Sequence, residues 1–144
     1  MPQFILDTGG AVTQSTRWGD LDAFTQGYIE AMFFTDSGPE EGQLGDAGFA
    51  DITPEALQLC LADCDRFQEQ HSELLAAACA CEGYGEERAG HDFWLTRNGH
   101  GAGFWDRQEL PGEVRDDLTA ACGWQTAYGE RWTSLDCNGK VHIS

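Results

Sequence analysis

Two of the four histidines, two of the eight basic side chains and two of the five tryptophans fall in one run, Gly90 to Arg107. An imidazole changes charge near neutral pH, so His91 or His100 is a candidate general base or metal ligand. Asp92 or Asp106 would orient that ring, Arg97 would clamp an anion, and Asn98 completes the polar set. The competing reading is a hairpin in which Phe93, Trp94, Phe104 and Trp105 stack across two strands, with the histidines and arginines solvated at its tip. Gly99-His100-Gly101-Ala102-Gly103 has the glycines of a phosphate or oxyanion loop, but it leads into Phe104-Trp105 and not into a helix. No Gly-x-Ser-x-Gly nucleophile elbow occurs anywhere in the chain.

The cysteines offer a second chemistry. Cys60 and Cys64 are one helical turn apart and Cys79-Ala80-Cys81 follows, but zinc modules use closely paired ligands around a loop. Cys60 and Cys64 border an apolar stripe, where small thiols serve as core, and His71 on the same stripe reads as a core histidine. Disulfide scaffolds are small secreted chains short of core, so free thiols are expected. No metal and no cofactor are expected.

Charge is the strongest compositional signal. The chain of 144 residues carries 25 acidic and 8 basic side chains, for a net charge of -17. That excess repels phosphate backbones and anionic membrane, which argues against direct nucleic-acid or membrane binding. Residues 90–107 could stack aromatics and Arg97 on single-stranded bases, but such sites lie in positive grooves. No stretch reaches the roughly 18 apolar residues of a membrane span, and the start lacks the pattern of a signal peptide, so a cytoplasmic location is expected.

These side chains need elements to position them. Apolar residues at Leu21, Phe24, Tyr28, Ala31 and Met32 predict a helix over 20–34, after an extended arm or short strand within residues 1–16. Residues 35–50 read as a loop. Thr53-Pro54-Glu55 is a helix start, and Leu57, Leu61, Cys64, Phe67, His71, Leu74 and Ala78 follow along one face. Glu55, Asp63, Asp65, Glu69 and Glu73 fall mostly off that stripe, so this second helix should present a carboxylate-rich outer surface. Residues 91–106 read as a β-hairpin turning at Asn98-Gly99, Pro111-Gly112-Glu113 opens a third helix, and Asn138-Gly139 marks a second hairpin. The expected architecture is a single α+β domain over 1–144, with about three helices packed on one face of a small antiparallel sheet built from two hairpins.

The stretch Phe93-Trp94-Leu95-Thr96-Arg97-Asn98-Gly99-His100-Gly101-Ala102-Gly103-Phe104-Trp105-Asp106 resembles the signature of a group of small proteins encoded by tailed bacteriophages and prophages. Looser similarity extends to Tyr28-Ile29-Glu30-Ala31 and to Leu57–Phe67. The resemblance carries no catalytic residue with it; what it implies is a phage accessory protein working in the host bacterial cytosol. Small acidic proteins of that kind often inhibit host defence, as anti-CRISPR or antirestriction factors that act as DNA mimics. The expectation is therefore a non-enzymatic protein-protein interaction with a host complex that normally binds nucleic acid, made through Glu55, Asp63, Asp65, Glu69 and Glu73. The alternative is a small enzyme or ligand-binding domain using His91, Asp92, Arg97, Asn98, His100 and Asp106.

Overall fold

The computed structural model describes residues 16–36, 44, 47–123, 126 and 128–144. The arm expected within residues 1–16 lies outside them apart from Thr16, as does much of the 35–50 loop. The described residues form five α-helices and one two-stranded sheet, in the order α1 (Ala23–Asp36), α2 (Pro54–Gln70), α3 (Ser72–Cys79), α4 (Glu86–Arg97), α5 (Gly112–Cys122), β1 (Thr133–Leu135) and β2 (Val141–Ile143). Three-residue 3-10 turns stand at Trp18–Asp20, Phe49–Asp51 and Phe104–Asp106. This corrects the expected α+β arrangement: among the described residues helices dominate, and one hairpin, not two, is present.

The correction centres on residues 90–107, which form most of α4 and a 3-10 turn. Glu86 and Glu87 begin that helix and Arg97 ends it, matching its dipole. Asn98-Gly99, which suggested a hairpin turn, is instead the helix stop. Gly99 has φ 69°, its N–H donates to Thr96 O, and the His100 N–H reaches back to Leu95 O. That is the pairing of a Schellman motif, which asks for the same positive φ as a tight hairpin turn. The aromatic pair Phe93-Trp94 suggested a strand because it sits in a run of aromatic and β-favouring residues; in the structure both side chains are buried. Both are buried because α4 runs through the middle of the molecule and is covered on several sides.

α2 begins as its residues predict, with Pro54 in the first turn and the Thr53 hydroxyl accepting from Ala56 N at 3.1 Å. The single helix expected through residue 78 is broken at His71 (φ -127°, ψ 34°), which ends α2 and leads into α3. β1 and β2 pair antiparallel, with Leu135 opposite Val141 and Thr133 opposite Ile143, around a turn in which Gly139 has φ 80°. Thr53 N donates to Val141 O at 3.0 Å and Ile52 forms a parallel bridge with Val141, so the hairpin clasps the start of α2.

The centre of the core is a cluster of aromatic rings. The Phe67 and Phe93 rings stack with centroids 4.3 Å apart, flanked by Phe24, Tyr28 and Phe104. The axial member of this packing is the α1–α4 crossing. A Cβ on Gly90 would lie 1.9 Å from Phe24 O, and one on Gly27 would lie 2.0 Å from Glu87 O, so the two backbones touch where only hydrogen can intervene. No helix of the described residues is long and apolar enough to cross a membrane.

Gly90→Ala is expected to lower stability by about 3 kcal/mol, since backbone on the facing helix must move. Gly101→Ala, which meets nothing within 4 Å, should be nearly neutral. Urea unfolding of the two variants checks the contrast.

Candidate functional site

Of the residues singled out at 90–107, the two most suggestive for chemistry are structural. Asp92, on the inner face of α4, is fully buried. It accepts from Arg107 Nη2 at 2.6 Å and Nε at 3.0 Å, and from the Tyr84 hydroxyl at 2.6 Å. Burial, reinforced by the Asp92 charge, pushes the Tyr84 phenol far up, so it stays a donor. Arg97 is 1% exposed. Its guanidinium donates to Asp63 Oδ2 at 2.7 Å, the Tyr28 hydroxyl at 3.1 Å and Gly129 O at 2.8 Å, and also to Tyr128 O. Neither side chain is free to orient a base or clamp a ligand, and neither is solvated at a hairpin tip.

Asn98 is an anchor: its amide donates to Trp94 O at 2.9 Å and accepts from Arg131 N at 2.8 Å. Trp94 is core, with its indole N–H on Thr35 Oγ1 at 3.0 Å, whereas Trp105 is 46% exposed. His100 is half-buried and lines a cleft of about 420 Å³ with Trp105 and Thr119, and Asp106 is exposed. His91 faces away from Asp92; its Nε2 lies 3.2 Å from Glu30 Oε1 of α1.

The acidic surface needs one correction. Asp63 does not belong to it: it is 7% exposed and takes a bidentate contact from Arg131, at 2.8 and 3.0 Å, as well as the bond from Arg97. Residue spacing placed it off the apolar stripe, but the partners that cover it come from α4 and residues 128–131. Glu55, Asp65, Glu69 and Glu73 are exposed. Partial desolvation and the Asp22 carboxylate hold Asp65 above the ordinary carboxyl range, with Glu69 adding to the repulsion. A similar crowding occurs between α1 and α4, where the hydrogen bond that the Glu87 carboxyl donates to Glu30, and the Glu30 charge, raise Glu87, with slight desolvation adding and His91 opposing.

The buried pairs also sort charge. Asp63 and Asp92 occupy Arg97, Arg107 and Arg131. Of the chain's 25 acidic and 8 basic side chains, 23 and 5 remain outside these networks. The outside is thus more one-sided than the composition.

All six cysteines are unpaired; Cys60, Cys64 and Cys122 are buried and Cys137 is exposed. Burial, with the Asp63 charge, pushes the Cys60 thiol up to about 12, which disfavours the thiolate a metal would need. His71 is half-buried against the Phe67 ring, and burial lowers its pKa. No family model, no curated protein and no solved structure matches this chain.

Asp63→Ala leaves two guanidinium groups without their carboxylate, one of them buried, and should cost about 3–5 kcal/mol in chemical denaturation; Glu55→Gln should cost almost nothing. Asp65 behaves oppositely. Its folded pKa lies above its unfolded one, so the fold takes up a proton more readily than the unfolded chain, and stability gains as pH falls through that window. Above it the ionised carboxyl is a net burden, discounted by solvent screening. Asp65→Asn should therefore raise Tm at pH 7 by about 2 °C, and the gain should vanish near pH 3, as read by thermal circular dichroism.

Proposed function

We propose that this is an acidic, phage-encoded interaction protein that inhibits a host nucleic-acid-handling defence complex, of the anti-CRISPR or anti-restriction type, by presenting carboxylates where that complex binds phosphates. The observation that carries this reading is the segregation of charge: three arginines are held by Asp63 and Asp92, while Glu55, Asp65, Glu69 and Glu73 are exposed along α2 and α3. Asp65 and Glu69 are four residues apart, about 6 Å along a helix, which is close to two phosphate steps of about 3.4 Å along one DNA strand. A surface of unneutralised carboxylates is repelled by nucleic acid and drawn to the basic groove of a protein that binds it. That attraction speeds encounter and weakens with salt.

The alternative of a small enzyme or ligand site at residues 90–107 has lost two of its six side chains, since Asp92 and Arg97 are fixed in internal ion pairs. The phage origin rests on the resemblance of the Phe93–Asp106 stretch.

The test uses tagged protein incubated with nuclease-treated bacterial lysate and eluted along a salt gradient, compared with the variant Glu55→Gln, Asp65→Asn, Glu69→Gln, Glu73→Gln. The wild type should retain a restriction or CRISPR component that moderate salt or added duplex DNA displaces, and the variant should bind it at least tenfold more weakly. Equal retention by both proteins, or retention indifferent to DNA and salt, overturns the proposal.

A further inference from the structure

We infer that Glu30, Glu87 and His91 form a binding site for one divalent first-row transition-metal ion at the α1–α4 crossing. One ligand atom from each residue lies within 4.8 Å of the other two. Glu87 and His91 are four residues apart on α4, the spacing that puts two side chains on one helical face. Glu30 comes from α1. An ion bound to nitrogen and oxygen at about 2.0–2.2 Å holds neighbouring donors about 3.3 Å apart. The His91 Nε2 and Glu30 Oε1 atoms are 3.2 Å apart.

The scaffold beneath these donors is rigid for a reason already visible in the fold. Gly27, one turn before Glu30, abuts the backbone oxygen of Glu87 itself. The helices cannot separate at this level without losing their closest backbone contact, so the spacing of the two backbones that carry the donors is fixed before any ion arrives. Such preorganisation lowers the cost of binding.

The donor chemistry selects the class of ion. Magnesium and calcium prefer all-oxygen shells, whereas an imidazole together with carboxylates suits manganese, iron or zinc. Local charge favours a cation as well. Among the described residues, no arginine or lysine is ion-paired with Glu30 or Glu87; the adjacent Arg88 is paired with Glu109 at 2.9 Å. The side chains of Glu30 and His91 are 43% and 34% exposed, which leaves the outer coordination positions open to water. The Asp136–His142 pair at 2.9 Å supplies a natural contrast: an imidazole and a carboxylate, with no third donor joined to them among the described residues.

The test is a titration of chelator-treated protein, with its histidines labelled with nitrogen-15, using Mn2+, an ion that thiolates bind poorly. The His91 resonances should broaden first, ahead of His71, His100 and His142, while electron paramagnetic resonance counts one bound ion per chain that Zn2+ displaces. Glu87→Gln and Glu30→Gln, on opposite helices, should each weaken binding tenfold or more, and Glu73→Gln should leave it unchanged. Equal broadening of His91 and His142, or an affinity unmoved by Glu87→Gln, would reduce the cluster to an ordinary ion pair in a diffuse counterion cloud and overturn the assignment.

Discussion

A guanidinium cannot be taken out of water unless nearly every N–H finds an acceptor, and Arg97 meets that demand by drawing four parts of the chain together. Its partners are Asp63 of α2, the Tyr28 hydroxyl of α1, and the carbonyls of Tyr128 and Gly129, while Arg97 itself ends α4. Asp63 in turn fixes Arg131, whose backbone N–H is held by Asn98. The hydrophobic core could in principle slide or repack, because dispersion has little directional preference. This network cannot, because each bond has a direction, and so it specifies how the helices and the segment before β1 are set against one another.

The same requirement explains why part of the fold was legible in the sequence and part was not. The start of α2 is written locally in Thr53 and Pro54, and the hairpin turn in Asn138-Gly139; both could be read because neighbours in sequence supply the physics. α4 could not be read that way. A helix covered on several sides keeps a narrow polar strip at Glu87 and His91, and its buried Asp92 and Arg97 blur the apolar period; the Asn98-Gly99 dipeptide serves a helix stop as well as a hairpin turn. Asp63 and Arg97 were taken for surface and site residues because their partners lie 34 positions apart in the chain, and no local pattern announces such a pair. Glu30 was missed for a similar reason. The spacing of Glu87 and His91 carries a signal once residues 86–97 are known to be helical, but their companion on α1 becomes visible only with the crossing at Gly27 and Gly90.

Burying ions has reshaped the exterior too. Each arginine drawn inward to satisfy Asp63 or Asp92 is one fewer cation available to screen the remaining carboxylates, so internal specificity and external polarity are set by the same side chains. The raised carboxyls of Asp65 and Glu87 record the cost of that arrangement at two separate places, the α1–α2 flank and the α1–α4 crossing. Acidity is thus organised by the fold and not merely spread over it.

The clasp between Val141 and the Ile52-Thr53 segment has a consequence for how the protein is made. Strand β2 leaves the ribosome about ninety residues after the helix start it secures, a delay of roughly 5 to 20 s at ordinary rates of synthesis. Arg131, the second cation on Asp63, arrives nearly as late. Until then α1, α2 and α4 lack the contacts that the hairpin and Arg131 supply, and closure of the aromatic core waits on contacts distant in sequence. The contacts that lock the start of α2 are thus non-local ones, made only well after α2 itself has emerged.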